Sequence, residues 1–415
     1  MIKIAIMGYG VVGGGVAYLC REKRESLERK SGLSFSVKYI LDQKAFPGDP
    51  WADRIIKDPD IIFEDPEVSL VVETMGGITA AYEYTKRALL AKKHVVTSNK
   101  ELVSHHGKEL LDLAYRQGVY YRYEAAVGGG IPLMVTLREA LAANDILRLD
   151  GILNGTCNYI LTKLSNEDMR FDEALTQAQR LGYAERNPEA DVEGLDAGRK
   201  LAILASMLSG EWVHPEKIHI EGISHIDRED AEVAASLGRE LKLVSMLRTK
   251  KSGDKTQYGL LVAPVLIDSE HNLSIAQGVY NAVQITADPV EDILLYGPGA
   301  GALPTASAVL GDMIEVCNHE WTEERGEQWT DLKEGRLIAY GDQEVRALIR
   351  IKSGLSSGDL SSHLHDLGGF ELLESPLEGE ELILTTNPKL REGRLESAIS
   401  ELPEEYFIRV LRLLD

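Results

Sequence analysis

Cysteine is rare in this chain. Three cysteines occur among 415 residues, and they stand far apart in the sequence, as Cys20, Cys157 and Cys317. This separation lacks the close spacing of a thiolate metal site. It also favours a reducing, cytoplasmic setting over one in which disulfides form.

Positive charge and long apolar runs are scarce as well. Lysine and arginine number 45 against 66 acidic residues, which gives a net charge of −21. That balance argues against non-specific binding to nucleic acid or to anionic membranes. No apolar run approaches the length of a membrane span, and Met1 leads into a core-like strand, so we expect no membrane insertion and no signal peptide.

The remaining composition is that of a globular protein. Hydrophobic residues make up 44% of the chain and charged residues 27%, which is typical of folded domains. The length suits roughly two to three domains. An anionic cofactor is compatible with the negative charge, because backbone N–H groups can bind phosphate locally.

A glycine turn follows the first apolar segment. Residues 2–7 are rich in β-formers, and the next six are Gly8-Tyr9-Gly10-Val11-Val12-Gly13. A helical pattern continues after them. The three glycines suit a tight turn, close approach of the backbone to a pyrophosphate and close helix–strand packing. The pattern predicts a Rossmann-type dinucleotide site at the N-terminus of that helix.

The second predicted strand, residues 36–42, ends in Asp42. A carboxylate at this point usually accepts the ribose 2′-hydroxyl of NAD. Lys44 lies two residues further on and could instead meet a 2′-phosphate. The sequence therefore does not decide whether the cofactor is NAD or NADP.

Two more predicted strands end in polar residues. Residues 68–73 lead to Thr74, and residues 94–97 lead to Ser98, Asn99 and Lys100. The carboxyl ends of parallel strands meet at one edge of a doubly wound sheet, where ligands bind. We therefore expect Lys100 at the ligand crevice, although a solvated loop lysine is the simpler alternative.

Residues 182–200 hold the densest set of candidate catalytic groups. Pro188 and Gly194 interrupt the chain, so a helix is predicted to begin near Leu195. Asp196 and Lys200 then share one helix face. A carboxylate that orients a lysine suits proton transfer on a small charged substrate. The alternative is a solvated ion pair that contributes a few tenths of a kcal/mol.

Three further segments are candidate binding elements, and the first two have two interpretations each. The turn 127–132 could direct backbone carbonyls at a cation, with Glu124 contributing negative charge. Alternatively, it could be an interdomain hinge. Thr156 and Asn158 begin a predicted helix, where they could cap it or face a substrate carboxylate. The loop 296–301 precedes a helix of small residues, which we expect to pack back on the nucleotide domain while the loop closes over the nicotinamide.

Taken together and in order, these segments resemble homoserine dehydrogenases. The resemblance extends from residue 1 to about Val316, and residues 182–200 are its most specific part. It implies NAD(P)-dependent interconversion of L-homoserine and L-aspartate 4-semialdehyde, on the route from aspartate to threonine and methionine. It also implies a homodimer or a higher homo-oligomer. Cys157 departs from the family, which usually has threonine there.

The resemblance implies a role for each motif. By position, the catalytic residues are Lys200, Lys100 and Asp196. The substrate-binding residues are Glu185, Asp191, Asn154 and Thr156. The cofactor contacts are Gly8, Gly10, Val11, Val12, Gly13, Asp42, Lys44, Thr74, Ser98, Lys100 and Gly299. A monovalent cation, usually sodium, is held by Glu124 with the carbonyls of Val127, Gly129 and Ile131.

The predicted fold is α/β with three parts. Residues 1–132 form a Rossmann-type doubly wound parallel sheet, and residues 133–320 form an α+β catalytic and dimerisation domain whose helix 305–320 packs back on the first. Residues 340–415 read βαββαβ, which is similar to an ACT regulatory domain. The Asp-x-Pro-Gly turn of that family is absent from residues 352–357, which argues against threonine feedback and favours a role in assembly.

Three functions remain open from the residues alone. The first is the homoserine dehydrogenase reaction. The second is an NAD(P)-dependent dehydrogenase of another small amino or hydroxy acid. The third is a non-catalytic nucleotide-binding sensor or assembly protein, which would not need the complete set of charged groups.

Overall fold

The computed structural model describes residues 1–167, 169–352, 354, 357–373, 377, 381–387 and 389–414. The chain divides into two compact units. The first unit consists of Met1–Ala143, Ala202–Lys217 and Gly297–Lys333, and the second of Asn144–Leu201, Ile218–Tyr296 and Glu334–Asp415. Within the described residues, no helix has both the length and the apolar character that a membrane crossing requires.

A parallel sheet forms the centre of the first unit. Its strands lie in the order Ile55–Ile56, Phe35–Leu41, Ile2–Met7, Val68–Glu73, His94–Thr97 and Tyr121–Arg122. The helices between them are Val11–Glu22, Arg24–Ser31, Asp60–Glu64, Thr79–Leu90 and Lys100–Gln117. Every pair of neighbouring strands is parallel, which confirms the predicted Rossmann-type sheet. The order reverses beside Ile2–Met7, so a ligand crevice opens at the carboxyl ends of the central strands.

The helix Ala302–Asn318 completes the core of the first unit. Its buried residues join a cluster with side chains of the central strands and of the helix Val11–Glu22. The two helices approach closely at Gly15, where a Cβ would lie 2.6 Å from the carbonyl oxygen of Ala302. Glycine at this position therefore permits the packing.

The parallel sheet ends in a short strand. It covers Tyr121–Arg122, and a 3₁₀ turn follows at Glu124–Ala126. The cause is the buried carboxylate of Glu124, which accepts hydrogen bonds from the backbone N–H groups of Leu133 and Met134 at 2.7 and 2.9 Å. These bonds fold the chain back before the strand can continue.

The second unit contains a mixed sheet. Its strands lie in the order Glu291–Pro298, Tyr280–Asp288, Asp145–Ile152, Arg239–Ser252, Lys255–Asp268, Phe407–Leu414, Ala347–Lys352, Glu381–Thr386 and Phe370–Leu373. Its helices include Gly155–Asn166, Phe171–Leu181, Glu189–Val192, Arg228–Ser236, Ser357–His363 and Glu392–Ser400, and the helix Leu195–Ser209 begins in this unit.

The C-terminal segment has the expected βαββαβ order. Its last strand, Phe407–Leu414, pairs with Ala347–Lys352 on one side and runs parallel to Lys255–Asp268 on the other. The segment therefore shares one continuous sheet with the rest of the second unit. Its assignment to the ACT family stays a prediction, and the divergent turn falls largely on residues 353, 355 and 356, outside the described residues.

Candidate active site

The glycine turn of the first unit is built to hold an anion. Gly8 has a φ of +95°, and a Cβ on Gly13 would lie 2.0 Å from the carbonyl oxygen of Gly8. Side chains are therefore excluded from both positions. The N–H groups of Val11, Val12 and Gly13 find no acceptor within the described chain, so they remain available to a phosphate at the helix N-terminus. These features fit the pyrophosphate of a dinucleotide.

Asp42 lies beside this turn. It directly follows the strand Phe35–Leu41, and its carboxylate accepts hydrogen bonds from the backbone N–H groups of Tyr9 and Lys44, both at 2.8 Å. The carboxylate is thus fixed where the sequence predicts an adenosine ribose. The side chain of Lys44 is exposed, and the choice between NAD and NADP stays open.

The neighbouring strand ends carry the other predicted cofactor residues. The Thr74 hydroxyl donates to the carbonyl oxygen of Gly8 at 2.9 Å, so it ties two strand ends together. Asn99 caps the helix Lys100–Gln117 by accepting from the N–H of Leu102 at 3.0 Å. This cap starts the helix at Lys100 and places it, after Ser98, at the carboxyl edge of the sheet.

A buried carboxylate under this edge was not predicted from the sequence. Glu73 is fully buried; it accepts from the Met75 N–H at 2.7 Å and from the hydroxyl of Thr97. Burial raises the pKa of Glu73 to about 7, although its hydrogen bonds act in the opposite direction. The only sequence signal for this buried carboxyl group is that a glutamate ends an apolar strand.

The predicted cation loop is also in the first unit. The buried carbonyl oxygens of Val127 and Gly129 receive no hydrogen bond from the described residues, whereas that of Ile131 accepts from the N–H of Leu133 at 2.8 Å. Gly129 has a φ of +55°, and a Cβ there would lie 2.3 Å from the carbonyl oxygen of Gly299. Unpartnered carbonyls beside the buried Glu124 fit a monovalent cation.

The second unit brings four of the predicted residues into direct contact. Lys200 is buried, and its ammonium donates to Asp196 Oδ2 at 2.7 Å and to the carbonyl oxygen of Leu153 at 2.6 Å. The Asn154 amide donates to Asp196 and to Asp191, both at 2.8 Å. Lys200, Asp196, Asn154 and Asp191 therefore form one hydrogen-bonded cluster, which we call the lysine cluster.

Asn154 has a second role in this cluster. Its side-chain oxygen accepts from the N–H of Cys157 at 2.8 Å and so caps the helix Gly155–Asn166. Cys157 donates to the carbonyl oxygen of Asp191 at 3.0 Å. Burial, with the charges of Asp191 and Asp196, raises the pKa of this thiol well above its usual value. Thr156 donates to the carbonyl oxygen of Tyr183 at 2.6 Å.

The helix that carries Asp196 and Lys200 begins at Leu195, as predicted. Gly194 allows the entry turn with a φ of +74°. Further along, a Cβ on Gly198 would lie 2.3 Å from Ile220 Cδ1. The sequence does not reveal this contact with Ile220.

Glu185 does not join the lysine cluster. Its side chain is exposed, and only its backbone carbonyl takes part in a hydrogen bond, from Gln179 at 3.1 Å, within the described chain. Lys100 belongs to the first unit and Lys200 to the second, so the predicted convergence of the two lysines stays a prediction.

The lysine cluster is chemically suited to proton transfer. Lys200 is the cation, Asp196 fixes its direction, and Asn154 holds both acids in place. The Lys200 ammonium is buried and is held in a defined direction by Asp196 and the carbonyl oxygen of Leu153, as directed proton transfer requires. The solvated surface pair that the sequence left open is excluded, because Lys200 and Asp196 are only 8% and 2% exposed.

In the comparison with known proteins, two consecutive parts of the chain match models of the same family. Residues 8–124 match the family model described as the NAD-binding domain of homoserine dehydrogenase, and residues 132–314 match the homoserine dehydrogenase model. The Bacillus subtilis homoserine dehydrogenase is 34% identical and the match covers 93% of this chain and 91% of that protein. The Synechocystis enzyme is 40% identical, with 76% and 73% covered.

Solved structures agree. A homoserine dehydrogenase from Thiobacillus denitrificans superposes with a TM-score of 0.91 at 32% identity, covering 100% of this chain and 98% of that one. A hyperthermophilic archaeal homoserine dehydrogenase in complex with NADPH superposes with a TM-score of 0.62 at 29% identity, covering 76% and 97%. These matches confirm the resemblance, the enzyme class and the nicotinamide-cofactor domain. The chain belongs to the homoserine dehydrogenase family of NAD(P)-dependent oxidoreductases.

Proposed function

We propose that this chain interconverts L-homoserine and L-aspartate 4-semialdehyde with Lys200 as the group that gives and takes the proton. The observation that carries the proposal is the buried Lys200 ammonium, held between Asp196 and the carbonyl of Leu153. Family membership selects this reaction among the three functions that the sequence left open.

The nicotinamide ring, when bound, supplies or accepts the hydride. Hydride addition to the aldehyde carbon leaves negative charge on the oxygen, which must gain a proton. Lys200 donates that proton and becomes a neutral amine beside Asp196. In the oxidative direction the amine accepts the hydroxyl proton while the hydride departs from the same carbon. Asp196 stabilises the charged form, and burial stabilises the neutral form.

The charges of the substrate explain the neighbouring polar groups. Homoserine carries an ammonium and a carboxylate. Asp191 and Glu185 offer carboxylates for the ammonium, and Asp191 is already oriented by Asn154. The N-terminus of the helix Gly155–Asn166, with Thr156 in its first turn, offers N–H groups that favour a carboxylate.

A monovalent cation, with sodium as the expected ion, is part of the proposal. The unpartnered carbonyls of Val127 and Gly129 and the buried carboxyl group of Glu124 support it. In this role the cation would hold the loop 127–132 in shape. Dialysis against a potassium-free and sodium-free buffer should lower the thermal midpoint, and added sodium should restore it.

A homodimer and a cytoplasmic location complete the proposal. The strand Glu291–Pro298 lies at the edge of its sheet, and the exposed rings of Tyr280 and Tyr296 stack beside it with centroids 5.3 Å apart. An exposed edge with aromatic neighbours supports pairing with a second copy. The three free cysteines support a reducing compartment. Light scattering of the purified chain would test the dimer.

The decisive experiment is Lys200→Met. Nicotinamide absorbance is followed with L-homoserine and each of NAD and NADP. We expect kcat to fall by roughly 100-fold or more, since positioned proton transfer contributes about 10²–10⁴-fold. Cofactor binding, measured by fluorescence, should be unchanged.

Lys163→Met provides the matched control. Lys163 also pairs with a carboxylate four residues away, Glu167, but this pair is reached by solvent, with the two side chains 18% and 50% exposed. Its replacement should leave turnover within about twofold, because solvated pairs contribute little. Near-normal turnover of folded Lys200→Met would reject the assignment.

A further inference from the structure

The C-terminal strand Phe407–Leu414 places one buried arginine against the body of the second unit. Nη1 and Nη2 of Arg412 donate to the two carboxylate oxygens of Glu221, both at 2.6 Å. Nε donates to Glu392 at 2.7 Å. A bidentate pair of this kind, with a buried guanidinium and a partly exposed carboxylate, fixes both partners in direction as well as in distance.

The rings of His219 and Tyr340 pack against this group of charged side chains. His219 Nε2 lies 3.0 Å from Glu221 Oε1, and its ring stacks on Tyr340 with centroids 3.7 Å apart and planes 8° apart. The Tyr340 hydroxyl accepts from Arg412 at 2.8 Å and donates to Glu392 at 3.0 Å. Burial alone would raise the pKa of Glu221, but the hydrogen bonds from His219 and Arg412 lower it to about 2. The Glu221 carboxylate therefore stays charged beside Arg412 at neutral pH.

The backbone that carries Glu221 lies directly on the turn before the catalytic helix. The Ile223 N–H donates to the carbonyl oxygen of Val192 at 2.7 Å. A Cβ on Gly222 would lie 2.4 Å from that same oxygen and 2.5 Å from Glu193 Cα. The closest contacts are thus backbone against backbone, and the carboxylate of Glu193 lies beside them, with its Oε2 atom 2.9 Å from the same Cβ position.

The side chain of Ile220 extends the contact onto the helix itself. It fills the space over Gly198, where a Cβ would lie 2.3 Å from Ile220 Cδ1. Gly198 stands between Asp196 and Lys200, and Val192 follows Asp191. Residues 220–223 therefore press on the same stretch of backbone that presents the lysine cluster.

We propose that Arg412, acting through Glu221 and residues 220–223, is a positioning residue for the backbone that presents Asp191, Asp196 and Lys200. The strand Phe407–Leu414 then supports the active site through these intermediate residues. The proposal rests on the assignment of the lysine cluster made above. Catalytic groups need this support, because displacement by about 1 Å can cost up to about 100-fold in rate.

The test compares Arg412→Gln with Arg409→Gln. Arg409 lies on the same strand and is paired as well, with Asp230 and Asp227, both at 3.1 Å, but its partners belong to the helix Arg228–Ser236 and its cap. Amide hydrogen exchange is measured in peptides that cover residues 189–200, together with kcat and the KM values for L-homoserine and the cofactor.

For Arg412→Gln we expect faster exchange in residues 189–200 and a kcat reduced by between about 10- and 100-fold, with the KM of the cofactor unchanged. Arg409→Gln should leave that exchange and kcat unchanged even if it lowers the thermal midpoint equally. Arg412→Lys should recover part of the rate, because it keeps the charge and loses the bidentate geometry.

Unchanged exchange in residues 189–200 of folded Arg412→Gln would overturn the proposal, as would an equal effect of Arg409→Gln. If Arg412→Gln does not fold, Ile220→Val gives the same test, since it removes only the methyl group that packs over Gly198. Faster exchange with normal kcat would support the positioning but reject the assignment of the lysine cluster as catalytic.

Discussion

Replacement of Glu73 by glutamine should change how the stability of the protein depends on pH. Glu73 ends the strand Val68–Glu73 beneath the nucleotide crevice, and its side chain is fully buried. Its two carboxylate oxygens accept hydrogen bonds from the N–H of Met75 and from the hydroxyl of Thr97. Glutamine has nearly the same shape but cannot ionise, so the variant removes the charge and keeps the packing.

The size of the effect follows from the pKa. The ordinary value is 4.5, and burial raises the folded value to about 7. The folded state therefore binds this proton more tightly than the unfolded state. The stability it contributes is complete below pH 4.5 and is lost as the pH rises through 7. A difference of about 2.5 pKa units corresponds to about 3 kcal/mol at 1.36 kcal/mol per unit.

The assay is urea unfolding at pH 5, 6, 7 and 8, followed by tryptophan fluorescence. The two proteins share all other titrating groups, so the difference between their free energies of unfolding at each pH reports on Glu73 alone. Between pH 5 and pH 8 the parent protein should lose about 2–3 kcal/mol more than Glu73→Gln. Parallel pH profiles for the two proteins would refute the argument that this carboxyl group is held protonated by burial.

Three further predictions concern single residues. Gly13→Ala should raise the Kd for NAD or NADP by at least about tenfold, because its Cβ would lie 2.0 Å from the carbonyl oxygen of Gly8 and force the turn open; titration calorimetry measures this, and unaltered binding would contradict it. Cys157 should resist iodoacetamide at pH 7.5 in the native protein, since its buried thiol has a raised pKa; mass spectrometry of the native and urea-unfolded protein would detect any labelling. Asp42→Ser should raise the KM for NAD more than the KM for NADP, because it removes a 2′-hydroxyl acceptor and a charge that opposes a 2′-phosphate; equal changes in steady-state kinetics would reject that role.

Local sequence signals predict the nucleotide half of the chain well. The strands Val68–Glu73 and His94–Thr97 have the predicted bounds, because each apolar run is bounded by polar or glycine-rich segments. The helix start at Leu195 was also predictable, since Pro188 and Gly194 act on the backbone next to them.

Contacts between distant residues could not be predicted in the same way. Asp196 and Lys200 lie four residues apart, so their pairing was visible, but burial of the pair depends on the surrounding chain. Arg412 and Glu221 are separated by 191 positions, and an alternating strand pattern does not reveal which carboxylate its arginine meets. Such partners are fixed by tertiary packing and not by periodicity.

A crystal structure of the ternary complex with L-homoserine and the nicotinamide cofactor is the most direct test of the proposed chemistry. We predict that the substrate hydroxyl oxygen lies within about 3.2 Å of Lys200 Nζ, the reach of a proton-transfer hydrogen bond, and that Lys100 reaches the same pocket from the nucleotide edge. A hydroxyl bound to another group, with Lys200 still closed on Asp196 and Leu153, would contradict it.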